Sequence, residues 1–68
     1  MNSQIEAWFT YHAPNDAQLG KYEILRRQAK DLAYTINTFC PDSADKTAAM
    51  RKLRECIMTA NAAIAIGG

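Results

Sequence analysis

Two apolar stripes separated by a proline turn leave this chain few folds to choose from. Tyr22, Leu25, Ala29, Leu32, Ile36 and Phe39 step alternately by three and four residues, and Met50, Leu53, Ile57, Ala60 and Ile64 repeat that spacing. An α-helix brings such positions onto one face, so each stripe predicts an amphipathic helix. Between them stands Cys40-Pro41-Asp42-Ser43. Proline lacks the N–H that would continue the first helix, and Asp42 or Ser43 can cap the second. The link is too short for anything but an antiparallel hairpin. The long helices are predicted at about 16–39 and 44–66, with Gly67 and Gly68 ending the second.

The N-terminal part reads as a shorter helix, about 3–9, carrying Ile5, Trp8 and Phe9, with Ser3 and Glu6 in capping-box spacing. A helix this short is marginal in water and is expected to dock its aromatic side elsewhere. Ala13-Pro14-Asn15-Asp16 interrupts the pattern, because the residue before proline is biased away from helical backbone; Asn15 or Asp16 then caps the next helix. Glu23, Arg27 and Asp31, four apart with alternating sign, read as a solvated, self-paired face. The fold class is therefore all-α, a single helical-hairpin domain over 1–68.

A single core of 68 residues buries only about 60% of the unfolded chain's surface. Such chains generally need disulfides, a metal or oligomerisation. Cys40 and Cys56 form no CxxC pair and His12 is the one histidine, so a zinc site lacks ligands and no metal is expected. Nothing at the N-terminus resembles a secretory signal, so the cysteines are expected as reduced, buried, small hydrophobes in a cytosolic protein. The hairpin also leaves Met58, Ala62, Ala63, Ile66 and the N-terminal aromatics uncovered. The expectation is a homo-oligomer.

Net charge of +1 and a pI near 7.8 argue against a duplex-DNA binder, which would carry a strongly basic face. A local basic pocket for a small anion remains compatible with that total. No apolar run reaches the roughly 20 residues that span a bilayer, so no membrane partner is expected. Walker, GxGxxG and metal-cluster motifs are absent, and no nucleophile motif surrounds His12; an enzyme is not expected, nor a cofactor.

A binding protein fits better. Tyr11 and His12 precede Pro14, which stiffens the segment presenting them, and a tyrosine ring there offers a platform for a planar base. Arg26 can address a phosphate with its guanidinium fork, and Lys30, one turn on, adds positive field. The bland alternative is that Tyr11 packs on a neighbouring subunit while Arg26 pairs with Glu23. Asn61, an amide in an alanine-rich stripe, either sets the register between helices or subunits or contacts a ligand; periodicity favours the first.

The stretches FTYHAPNDAQLGKYEILRRQAKDLA, CPDSADKTAAMRKL and MTANAAIA resemble the short helical-hairpin domain of phage anti-CBASS proteins, the sponges that sequester cyclic oligonucleotide signals. The similarity runs from about Gln4 to Ala65 in the same order and with similar spacing. It implies a compact homohexamer that binds cyclic dinucleotides such as 3′,3′-cGAMP between protomers, in the cytoplasm of the infected bacterial host, and releases them unchanged. By the same resemblance Tyr11 stacks on a base, Arg26 contacts phosphate, and His12, Pro14 and Lys30 belong to the same ligand-binding motif. Some members also hold cyclic trinucleotides through an arginine after A-N-A-A-I-A. Here Ile66-Gly67-Gly68 stands in its place, leaving Gln28 as a polar contact for such a second site.

Three alternatives stay open on these residues. Anti-Thoeris nucleotide sponges share the hairpin, which admits a cyclic ADP-ribose type ligand. A helical protein-interaction or structural module would use the aromatic and basic stretch to dock a partner helix. A phosphodiesterase would degrade the signal instead of holding it.

Overall fold

Proline and the polar residues after it divide the chain where the stripes break. The computed structural model describes residues 2–11 and 13–67. Three helices follow one another, α1 (Asn2–Phe9), α2 (Asp16–Phe39) and α3 (Ala44–Gly67), with no strand among the described residues. The all-helical hairpin expected from the stripes is present, and α3 takes in Gly67 as its last residue. None of the helices is long and apolar enough to cross a membrane.

The caps select among the sequence alternatives. Asn15, not Asp16, caps α2: its side chain accepts from the Gln18 backbone N–H at 2.8 Å, while the Asn15 N–H donates to Gln18 Oε1 at 3.0 Å. At α3, Ser43 rather than Asp42 is the cap, its Oγ accepting from the Lys46 N–H at 3.1 Å. Asp42 instead takes the Lys46 ammonium at 3.0 Å, and the same Nζ donates to the Asn37 carbonyl at 3.0 Å. Asp42 is almost wholly exposed, so the ion pair contributes little. The carbonyl contact matters more, because Asn37 lies in the last turn of α2, where intrahelical donors run out. At α1 the expected cap fails: Ser3 already lies inside a helix that begins at Asn2.

One side chain joins the far end of the hairpin. Gln18 Nε2 donates to the Ile64 carbonyl at 3.0 Å, so one amide serves both the start of α2 and the end of α3. Gln18 is also the one described residue that is buried, at 8% exposure. Gln18→Ala should cost about 1–3 kcal/mol, since it removes the cap partner and strands a carbonyl. Asn15→Ala breaks only the local box and should cost about 1 kcal/mol. Urea unfolding of both variants checks this; equal losses would reduce Gln18 to a local cap.

The seam between α2 and α3 carries Tyr22, Leu25, Ala29, Ala33 and Ile36 against Met50, Leu53, Ile57, Ala60 and Ile64, all half-buried. Leu32, expected in the stripe, is 48% exposed, and Phe39 is 80% exposed. Positions three and four after Ala29 flank the stripe on opposite sides of one helix turn, and packing against α3 selects Ala33 over Leu32 before the seam returns to Ile36.

No hydrophobic residue is buried among those described. The chain spans 43 × 28 × 12 Å, and its radius of gyration of 14.9 Å exceeds the roughly 11 Å of a compact domain of this length. It is a plate one helix thick, in which the seam excludes water only along its centre line. The aromatic side of α1, expected to dock, stays largely outside: Ala7 is half-buried, but Ile5, Trp8 and Phe9 are exposed. Cys40 and Cys56, expected to be buried, are free and exposed, because Cys40 caps α2 in the turn and Cys56 lies beside the seam instead of in it.

Candidate functional site

Arg26 and Lys30 are four residues apart on α2 and therefore share a face. Both line an open groove of about 330 Å³ over the seam, floored by Ala29, Ala33, Leu53 and Ile57. From α3 the groove takes Arg54 and Met58. The two crosslinks, Gln18 to Ile64 and Lys46 to Asn37, set the antiparallel register that brings these turns side by side. All three cations are exposed and none holds an ion pair among the described residues. The Arg26–Glu23 pair offered as the bland alternative is therefore not made, and Glu23, Arg27 and Asp31 form no ladder of pairs.

A second cavity of about 310 Å³ shares Lys30 and Ala33 with the first and continues toward the turn past Tyr34, Asn37 and Met50. Together they make a trough along one side of the hairpin. Its chemistry suits an anion on an apolar bed: cations at the rim, aliphatic carbon below, and no carboxylate in either lining.

Tyr11 lies elsewhere. It lines a separate cavity of about 250 Å³ with Ala7, Trp8 and Thr10 on one side and Ala62, Ala65 and Ile66 of α3 on the other. At 85% exposure its ring is presented to solvent, not packed into the hairpin. Pro14 is exposed in the link between α1 and α2, and Gln28 is exposed on α2; neither lines these three cavities. His12 lies outside the described residues. Of the residues singled out from sequence, the fold of one protomer thus brings Arg26 and Lys30 together and leaves Tyr11 in another cavity.

Asn61 is half-buried on α3, and its Oδ1 is buried without a hydrogen-bond partner. A buried acceptor left unpaired is costly, which marks this amide as a position where a donor from outside the described residues would be stabilising. Sequence reasoning missed Arg54. The signal was its place directly after Leu53, at the edge of the α3 stripe, but only the interhelical register shows that this edge meets the Arg26 edge of α2.

Residues 1–65 match the family model described as Acb2/Tad1, hairpin domain. Comparison with curated proteins and with solved structures gives no match.

Proposed function

This chain belongs to the Acb2/Tad1 hairpin-domain family, which is associated with nucleotide-sponge function, and from that premise we propose that it is a non-catalytic sponge for cyclic dinucleotides. In this reading it binds 3′,3′-cGAMP and related signals as a homohexamer in the cytoplasm of an infected bacterium. Lowering the free signal then keeps the antiviral effector inactive.

The observation that carries the reading is the separation of Tyr11 from Arg26. Each is exposed, and they line different cavities of one protomer. A ligand that uses both is best served by two protomers, the base on one chain's Tyr11 and the phosphate on the other's Arg26. A twofold axis between protomers would then supply two stacks and two phosphate contacts to a cyclic ligand that is itself near twofold. The apolar side chains left in water by the single chain favour such association. His12, Pro14 and Lys30 are assigned to the surroundings of the same ligand.

A recovery assay tests the proposal. Purified protein is loaded with 3′,3′-cGAMP, freed of unbound nucleotide and heated, and the released material is separated by chromatography. Intact cyclic nucleotide is the expected product. Linear products would replace the sponge with a phosphodiesterase, and no retained nucleotide would favour a protein-docking module. The same assay run with cyclic ADP-ribose addresses the alternative ligand class that the sequence leaves open.

A further inference from the structure

We propose that the groove between α2 and α3 is a phosphate site built by both helices, in which Arg54 of α3 is an anion ligand opposite Arg26 and Lys30 of α2. The inference takes its ligand class, a phosphodiester on a planar nucleotide, from the sponge reading above. Its geometry stands on separate observations.

The first is charge. The chain carries eight Lys and Arg against seven Asp and Glu, close to balance. Yet three of the eight cations line this groove and none of the seven acids does. Local imbalance in a nearly neutral protein gives the groove a positive potential. The second is the freedom of the cations. None of the three is held by an ion pair among the described residues, so an incoming anion displaces no carboxylate. The third is the floor. Ala29, Ala33, Leu53 and Ile57 are half-buried aliphatic carbon, and Met58 stands beside them as an adaptable, polarisable wall. A ribose or base edge can lie there while the phosphate meets the guanidinium groups.

At about 330 Å³ the groove is at the small end of ligand pockets, which suits one nucleotide unit and leaves the rest of a cyclic dinucleotide to a second protomer. Arginine from α3 adds what α2 cannot. A single helix presents its cations side by side, whereas a cation from the opposite wall lets the anion be held from two directions. Each guanidinium can offer two parallel N–H donors to phosphate oxygens.

The test is calorimetry of wild type, R54A and R54K with 3′,3′-cGAMP, with circular dichroism to verify equal helicity. Arg54 is exposed, so both variants should fold. R54A should weaken binding about tenfold or more, and R54K should recover part of the loss, since it restores charge but not the fork. Added salt should weaken the wild type more than R54A. Wild-type binding with R54A unchanged overturns the groove and leaves the sponge reading intact. A second arm separates the two ideas: the arginine side-chain NMR signals are followed while inorganic pyrophosphate is added. If cyclic dinucleotide does not bind but the Arg26 and Arg54 signals move together with pyrophosphate, the sponge reading fails and the groove stands as an anion site. If neither ligand acts, both fail.

Discussion

Tyr11→Ala should reduce cyclic dinucleotide binding by at least about thirtyfold while leaving the helices intact. Base stacking on an aromatic ring contributes about 1–3 kcal/mol per base, and a twofold arrangement uses two rings, so the summed loss is roughly 2–6 kcal/mol. The ring is free to do this because it is 85% exposed and carries no packing role in the hairpin. Arg26→Ala should produce a comparable loss. A hydrogen bond to a charged group contributes about 1.5–3 kcal/mol, and two copies of Arg26 act on one ligand. Arg26→Lys should fall between, since the ammonium keeps the charge and loses the bidentate fork. Calorimetry measures all three, and sedimentation verifies that assembly is unchanged. Full binding by Tyr11→Ala would remove the stacking role, and with it the main reason to place a base in the Tyr11 cavity.

The second large effect concerns stability. A protomer in which no described hydrophobic residue is buried, and whose smallest dimension is 12 Å, lacks the core that normally offsets the entropy of ordering a chain. Its stability should therefore be linked to association. The protein should sediment as a multiple of 7.6 kDa, six chains under the proposal, and its urea midpoint should rise with protein concentration. Leu32→Asp should shift the equilibrium toward dissociated, largely unfolded chain. Leu32 is 48% exposed within one protomer, so a loss that grows as the protein is diluted reports on a neighbour covering it. A 7.6 kDa monomer with a concentration-independent transition would overturn this account and remove the two-protomer site.

The helices were legible because their signals are local. Proline at 14 and 41 interrupts backbone hydrogen bonding, the residues after each proline offer capping oxygens, and the apolar spacing between them belongs to a helix. The choice of cap was less legible. Asn15 and Asp16 are both good caps, and Asn15 is used because Gln18 stands where it can return the bond. Even then, nothing local announces that Gln18 also reaches Ile64, 46 residues away.

The candidate site divides along the same line. Arg26 and Lys30 could be paired from sequence, since a four-residue step on one helix is a neighbour relation. Arg54 could not, because its neighbours on α2 depend on how the two helices slide past one another. The fate of Leu32 is similar: Leu32 and Ala33 flank the same stripe on α2, and only packing against α3 decides that Ala33 lies in the seam.

The amino-acid sequence alone thus determined three helices, their breaks and an antiparallel pairing, because each rests on interactions within a few residues of chain. Only the tertiary structure decided that Cys40, Cys56, Leu32 and the α1 aromatics face water, that Tyr11 and Arg26 occupy different cavities, and that Arg54 joins Arg26. Burial and cavity lining depend on what lies across the seam. In this chain the pairing of the helices is tied at both ends, by Lys46 to Asn37 across the turn and by the long-range contact of Gln18 with Ile64.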